Sequence, residues 1–346
     1  MKKGCLGFLL IIFTFNLYVF SSIQIQKIDK WEFHDRVFGK IFYSTVDKDN
    51  HLIVSFYKTP VLSMSAKGIV EFAPYGQGPN ELTNLVGMCF YKGNLALAEH
   101  TDKIKIYEKK SGKYVWIKTK WLKRSGYYAL IPNCVKYYAN KWFVVGTEGL
   151  SYNKITGKSV CSHIKVYDEQ GKMLKRLIKR NYEGVIQYPL MTRFIAKYHN
   201  KLFFLTENSL KISIISIDKL NVEKKLKLAI PNFYKKMPKD FYINNPKENN
   251  FTKNLEKWKT GYSSITNVFV SGKYLILQLR TCNDKMKKFA ILFYNAENFK
   301  LEKTYFTDDY LMGVRENKLY CFMNGNPGLD EDTDDGVINI YKVIEK

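Results

Sequence analysis

The chain has 346 residues, of which 46% are hydrophobic and 25% charged, so composition supports a sizeable core and excludes bulk disorder. Its formal net charge is +23, but only seven of the 55 basic residues are arginine and the lysines are scattered along the sequence. Because arginine dominates the recognition of bases and phosphates, we expect no nucleic-acid binding. We interpret the charge as a solvated surface, with weak attraction to anionic glycans or a peripheral membrane contact as the alternative.

Residues 1–22 have the pattern of a secretory signal peptide. Lys2 and Lys3 precede an apolar run from Leu6 to Phe20, and small residues that would allow cleavage follow it. The run is about 15 residues, shorter than the roughly 20 of a membrane-spanning helix. The sequence therefore predicts export to the periplasm or cell envelope of a bacterium, with a retained N-terminal anchor as the alternative.

A short polar turn followed by an alternating apolar strand recurs six times after the leader. The first large hydrophobic residue of each strand is an anchor position, and successive anchors are separated by 43, 47, 60, 72 and 45 residues. The six anchors are Leu52, Leu95, Trp142, Leu202, Tyr274 and Leu319. Three of the spacings are typical of a four-stranded propeller blade, and the two long ones predict insertions.

A further apolar run precedes each anchor, and a strand–turn–strand pattern follows most of them. Each repeat therefore accounts for about four strands, the first of which lines a central channel. The chain ends at the third strand of the sixth repeat. We expect the alternating strand at residues 23–33 to pair with it and close the ring, because an open propeller exposes two sheet edges. The predicted fold is an all-β, six-bladed β-propeller with four-stranded antiparallel blades, formed by one domain at 23–346.

The stretch FAPYGQGPNEL at residues 72–82 begins like a dinucleotide-binding loop. Glu81 stands where the third glycine would be and would repel a phosphate. Pro79 lacks an N–H group, and no helix N-terminus follows. We interpret the stretch as a turn between blades in which Glu81 accepts hydrogen bonds from backbone N–H groups.

This turn, the inner strand after it and the segment GNLALAEHTDKIKIYEKKSGKYV resemble the six-bladed propellers of the NHL and TolB-like group. The likeness is closer to secreted six-bladed propeller proteins of Bacteroidetes. The matching residues are Gly76, Gly78, Pro79, Glu81, Gly93, Glu99, Ile104, Ile106 and Tyr107. Only the second repeat matches strongly, and the turn motif occurs once. The resemblance implies a propeller fold and a secreted protein, and no particular reaction.

Two loops are candidates for a functional role. The stretch at 324–336 clusters five carboxylates, three of them Asp330, Glu331 and Asp332. We interpret it as a solvated hairpin loop, with a calcium site as the alternative, although the EF-hand order is not kept.

The segment at 230–264, between the fourth and fifth blades, is rich in lysine, asparagine, proline and aromatic residues. Loops that join blades lie over one face of the ring, so we expect this one to contact a partner. The aromatic candidates are Phe233, Tyr234, Phe241, Tyr242 and Trp258. The alternative is that these side chains pin the loop onto the blades.

Catalytic motifs such as G-x-S-x-G and H-E-x-x-H are absent, and the five histidines fall in separate repeats. The cysteines that follow the leader are odd in number and widely spaced, unlike a disulfide framework. We predict no catalytic residue, metal or cofactor, and a monomeric binding or scaffold module for an unknown protein or an anionic glycan. The alternative is a lactonase-like hydrolase or lyase with a metal held by carboxylate, asparagine or histidine side chains of the inner strands.

Overall fold

Short apolar runs and alternating apolar–polar stretches, separated by polar turns, recur along the chain, and these patterns produce strands. The computed structural model describes residues 23–34, 38–56, 58–100, 102–123, 131–153, 158–183, 193–238, 260–282, 285–326 and 335–345. Within these ranges, 24 strands form six antiparallel sheets of four strands each.

Strand β1 (Ile23–Phe33) precedes the first complete sheet and belongs to the last one. Blade 1 consists of β2 (Ile41–Val46), β3 (Leu52–Phe56), β4 (Val61–Ser65) and β5 (Gly68–Phe72). Blade 2 consists of β6 (Leu85–Tyr91), β7 (Asn94–Glu99), β8 (Lys103–Lys110) and β9 (Lys113–Trp121). Blade 3 consists of β10 (Ile131–Tyr138), β11 (Lys141–Asn153), β12 (Lys158–Asp168) and β13 (Met173–Glu183).

Blade 4 consists of β14 (Arg193–Tyr198), β15 (Lys201–Thr206), β16 (Ser209–Ser216) and β17 (Asn221–Lys227). Blade 5 consists of β18 (Ser264–Ser271), β19 (Tyr274–Arg280), β20 (Phe289–Asn295) and β21 (Leu301–Thr307). Blade 6 consists of β22 (Tyr310–Arg315), β23 (Lys318–Phe322), β24 (Gly336–Glu345) and, as its outer strand, β1.

The ring closes as the sequence predicts. Strand β1 pairs antiparallel with β24 over its whole length, from Ile23 opposite Glu345 to Phe33 opposite Gly336. Each inner strand also contacts the inner strands of both neighbouring blades, which makes the ring continuous. The prediction of a six-bladed propeller closed by the N-terminal strand is therefore confirmed.

The core consists of six apolar clusters, one between each pair of adjacent blades. Alternation along a strand sends successive side chains to different clusters: Leu202 and Phe204 pack towards blade 3, whereas Phe203 and Leu205 pack towards blade 5. All six anchor positions are at most 2% exposed. Burial of each such side chain contributes about 1.5–3 kcal/mol, so the repeated anchors carry much of the stability of the ring.

The connections divide the ring into two faces. The turn face carries the links between first and second strands and between third and fourth strands of each blade. The loop face carries the other links, which include the 72–84 turn, the 228–263 segment and the 323–335 connection. The two long anchor spacings have different causes: blade 3 has extended strands of 13, 11 and 11 residues, and blade 4 is followed by the 228–263 segment.

Candidate recognition face

The two ends of the 230–264 segment are held together at the loop face. The backbone N–H of Lys235 donates to Ser263 Oγ at 3.0 Å. The N–H of Ser263 donates in return to the carbonyl of Lys235 at 2.8 Å. This pairing lies between blades 4 and 5, and we call it the root of the segment.

Two of the five aromatic candidates lie at this root. Phe233 packs its ring 5.2 Å from that of Phe306, on the outer strand of blade 5. The Tyr234 hydroxyl donates to the carbonyl of Asn208 at 3.3 Å, and both aromatic side chains are half-buried against the cluster between blades 4 and 5. These contacts anchor the segment, while Phe306 keeps 40% of its surface exposed beside it. Phe241, Tyr242 and Trp258 lie outside the described residues.

Two cations lie over aromatic rings next to this root, an arrangement that the sequence did not predict. Lys235 Nζ lies 5.9 Å from the centre of the Tyr262 ring, and the Arg280 guanidinium lies 5.2 Å from that of Phe289. In such pairs the cation is attracted electrostatically to the face of the aromatic ring. The arrangement suits recognition of an anionic surface. Lys235 and Tyr262 are 27 positions apart in the sequence, and Arg280 and Phe289 are nine apart on paired strands, which is why no local motif marks the arrangement.

The thiol of Cys282 belongs to the same root and donates to the carbonyl of Tyr262. Burial raises the pKa of this thiol to about 11. At neutral pH it is therefore a protonated donor rather than a nucleophile. Burial also raises the pKa of the Cys89, Cys134 and Cys321 thiols, and all four cysteines are free, so none of them has the thiolate character of a catalytic residue.

A buried polar network fixes the loop face between blades 5 and 6. Asp309 Oδ2 accepts hydrogen bonds from Asn339 Nδ2 and from the Tyr341 hydroxyl, both at 2.7 Å. Gln278 Nε2 donates to the backbone carbonyl of Asp309 at 2.9 Å, and Gln278 Oε1 accepts from the N–H of Leu311 at 3.0 Å. These bonds connect blades 5 and 6, so the network positions the loops.

The 72–82 turn is the inter-blade turn that the sequence predicts. The N–H of Gly78 donates to Glu81 Oε2 at 2.7 Å, which confirms the role expected for Glu81. Lys105, buried in blade 2, donates to the carbonyls of Gly78 (3.1 Å) and Glu81. Its ammonium also lies 3.8 Å from Glu99 Oε2.

Glu99 Oε1 accepts hydrogen bonds from both the N–H and the hydroxyl of Thr83, each at 2.9 Å. The buried pair of Lys105 and Glu99 therefore ties the turn to the blade from two sides. The turn residues that carry the family resemblance have a structural role here.

The inner strands supply little metal-binding chemistry. Across their described bounds, the six strands contain no aspartate, glutamate or histidine, and their only side-chain amides are those of Asn133 and Asn267. Asn267 Nδ2 donates to the carbonyl of Leu311 at 2.7 Å and thereby links blades 5 and 6. Of the carboxylate, asparagine and histidine ligands that the lactonase-like alternative names, the described inner strands contain only these two asparagines.

The inner strands also approach each other closely. A Cβ atom at Gly87 would lie 2.6 Å from the backbone nitrogen of Val135, so glycine is required where β6 meets β10. This contact holds the inner strands of blades 2 and 3 close together.

Histidines and carboxylates do not converge elsewhere in the described chain. Among those residues, no group of three or more histidine, cysteine, aspartate or glutamate side chains is arranged to hold a metal ion. His34 lies 3.3 Å from Asp335, both exposed on the loop face, whereas His163 is buried and His51 lies on the turn face. The rest of the acidic cluster, 330–334, lies outside the described residues, so the calcium alternative stays a prediction.

An ionic cluster on the turn face joins blades 1 and 2. Asp47 Oδ2 accepts hydrogen bonds from Lys109 Nζ at 2.7 Å and from the Tyr114 hydroxyl at 2.8 Å, and Lys109 also reaches Asp49. Burial by itself would raise the pKa of Asp47, but hydrogen bonds from Lys109, the His51 backbone and Tyr114 together lower it below its ordinary value. The cluster stabilises the ring opposite the candidate recognition face.

Comparison with known proteins supports the fold. No protein-family model matches the chain, and no curated protein matches it. A solved member of the duf4221 family from Bacteroides vulgatus is similar with a TM-score of 0.58 and 12% identity, covering 94% of this chain and 99% of its own. A predicted exported protein from Bacteroides fragilis is similar with a TM-score of 0.56 and 14% identity, covering 94% and 96%. At these low sequence identities, the similarity to the two proteins shows a shared fold and nothing further. In the described part of the chain, no helix has the length and apolarity to cross a membrane.

Proposed function

We propose that this protein is an exported bacterial propeller that acts as a binding or scaffold module, with its loop face at blades 4 and 5 as the recognition surface. The observation that carries the proposal is the pairing of Lys235 with Ser263 at the loop face, beside two cations held over aromatic rings. A rigid ring that presents a long loop from one face suits partner recognition. The partner is a protein or an anionic glycan.

Export and the narrower grouping belong to the same proposal. The leader pattern at residues 1–22 favours secretion. The structurally similar protein from Bacteroides fragilis is described as a predicted exported protein. We place the chain with the secreted six-bladed propellers of Bacteroidetes, within the NHL and TolB-like group, on the turn motif at 76–81.

A binding role is favoured over hydrolysis by the chemistry of the side chains. The inner strands lack carboxylates and histidines, and the described thiols are held protonated by burial. The polar groups around the recognition face mostly bond to one another or to the backbone, as in a positioning network.

The test replaces the middle of the 228–263 segment and keeps its root. Residues 239–259 are replaced by a short Gly-Ser linker, which leaves the paired Lys235 and Ser263 in place. Wild type, this deletion and Ile28→Ser, a control on the outer strand of blade 6, are each used to capture partners from the native cell envelope. We expect wild type and the control to recover the same partner and the deletion to lose it. Prior protease treatment of the envelope separates a protein from a glycan partner. Equal recovery by the deletion, with unchanged circular dichroism, would overturn the proposal.

A further inference from the structure

The positive charge of the protein is concentrated on one side of the ring. The outer strands of blades 2, 3 and 4 (β9, β13 and β17) contain ten lysine or arginine residues and two glutamates. The outer strands of blades 5, 6 and 1 (β21, β1 and β5) contain three lysines and four acidic residues. Lysines that look scattered in the sequence therefore form a basic arc over half of the circumference, which we call the basic edge.

Much of this charge faces solvent. Seven lysines of the basic edge are exposed: Lys113, Lys118, Lys175, Lys179, Lys224, Lys225 and Lys227. Within the part of the chain that the structure describes, none of the seven forms an ion pair with a carboxylate. Their charges therefore add to a single positive field rather than cancelling locally.

Large apolar side chains are exposed within the same arc. Of the nine large hydrophobic residues exposed in the described chain, four lie on β9 and β13. They are Val115 (47%), Ile117 (37%), Trp121 (59%) and Leu174 (45%). An exposed tryptophan with aliphatic neighbours among lysines is the composition of surfaces that enter the interfacial layer of a bilayer.

The arc is continuous between blades. The N–H of Lys123 donates to the carbonyl of Gly171 at 2.9 Å, and a Cβ atom at Gly171 would meet the backbone oxygen of Trp121. Strands β13 and β17 are also in contact. The end of β9 that carries Trp121 therefore meets the turn that precedes Leu174 at the start of β13.

Protection of sheet edges does not explain this distribution. Edge lysines hinder edge-to-edge pairing, and all six outer strands need such protection. The strands of blades 5, 6 and 1 are edges of the same kind, yet they carry no excess of positive charge. The asymmetry calls for a partner on one side of the ring.

We propose that the basic edge is a docking surface for an anionic lipid membrane, with Trp121 and its apolar neighbours entering the interface. Lysine attracts anionic headgroups within about a Debye length, roughly 8–10 Å at physiological salt. A membrane is favoured over a soluble polyanion because the arc combines charge with exposed apolar surface, for which a soluble glycan or nucleic acid offers no apolar phase. Docking by the rim leaves the loop face open to its own partner.

The test compares two triple variants with the same change in net charge. Lys118→Glu/Lys175→Glu/Lys225→Glu alters one exposed lysine on each strand of the basic edge. Lys27→Glu/Lys30→Glu/Lys303→Glu alters the three lysines of β1 and β21 on the opposite side. Both are prepared from the chain beginning at Ile23, which contains all six blades. Partition is measured by co-sedimentation with vesicles of phosphatidylcholine alone and mixed with phosphatidylglycerol.

Wild type should bind the mixed vesicles and release them at high salt. At about fivefold per lysine, the basic-edge triple should bind at least on the order of 100-fold more weakly, and the control triple should lose much less. Trp121→Ser should weaken binding to the mixed vesicles about tenfold. Ile28→Ser, which also replaces an exposed apolar side chain by serine but on the opposite side, should leave this binding unchanged. Absence of binding to mixed vesicles, or equal losses in both triples, would overturn the proposal. Charge-dependent binding that Trp121→Ser leaves unchanged would also overturn it and assign the edge to a soluble polyanion.

Discussion

Replacing Lys105 by methionine tests whether the 72–82 turn is held by a buried ion pair. Lys105 and Glu99 are 5% and 3% exposed, and their charged atoms are 3.8 Å apart. With an effective dielectric constant of about 20, their attraction is about 4 kcal/mol. Methionine keeps the volume of the lysine stem but leaves the Glu99 carboxylate buried without a cation. We therefore expect a loss of about 3–5 kcal/mol in the free energy of unfolding.

The same reasoning predicts that a second substitution restores stability. Adding Glu99→Gln to Lys105→Met removes the uncompensated charge and should recover at least about half of the loss. Lys103→Met is the matched control, since that lysine is on the same strand but lies over the Trp121 ring, and we expect a change below about 1 kcal/mol. Urea unfolding followed by circular dichroism measures all four proteins. A loss below about 1 kcal/mol for Lys105→Met, or no recovery in the double variant, would refute the role of the pair.

Three further predictions concern how the ring holds together. The hydrogen bonds that lower the pKa of Asp47 stabilise the folded protein above about pH 4, and this stabilisation is lost as the pH falls below that value. Asp47→Asn should therefore reduce stability at pH 7. In a series of urea unfolding midpoints measured at different pH values, the variant should also lose less stability on acidification than wild type. Gly87→Ala should cost at least about 2 kcal/mol because its methyl group would meet β10, whereas Gly39→Ala, with open space around it, should change the urea midpoint little. Deletion of residues 23–33 leaves β24 as an unpaired edge and should cause aggregation in size-exclusion chromatography; a stable monomer would contradict the closure.

The fold was predictable because its signals are local and repeated. Each anchor, such as Leu202, lies one or two residues after a glycine or asparagine of a polar turn and begins a strand. This pattern can be recognised from neighbouring residues alone. The pairing of β1 with β24 followed from a count of strands: the sixth repeat lacked one and the N-terminus had one to spare. The interblade role of Glu81 followed from the absence of phosphate-loop chemistry.

The polar interior was not predictable in the same way. Lys105 lies in an alternating strand, where a lysine normally indicates a solvent-facing position, but its acceptors are carbonyls 24 and 27 residues away in the chain. The contact of Lys235 with Tyr262 likewise depends on how the two ends of the 228–263 segment meet. Such contacts are set by packing between blades, which the pattern of one strand does not encode.

The charge distribution lies between these cases. The runs KTKW, KRLIKR and KKLK are separated by other segments and look scattered, yet each falls on the fourth strand of its repeat. Once the strands are assigned to blades, the basic edge can be read from the sequence. Its exposed tryptophan cannot, because β9 carries one extra residue, Ile117, between Trp116 and Lys118, which pair with the adjacent residues Tyr107 and Ile106 of β8. This extra residue interrupts the alternation of β9.

Site-specific photo-crosslinking tests the proposed recognition face most directly. A benzophenone side chain is placed at Phe306, which is 40% exposed beside Phe233, or at Ile28, which is 43% exposed on blade 6. Both proteins are irradiated in the native envelope. We expect a discrete crosslinked product from position 306 that is absent from position 28 and from the 239–259 deletion. The same product from both positions, or its persistence after the deletion, would contradict recognition through the loop face.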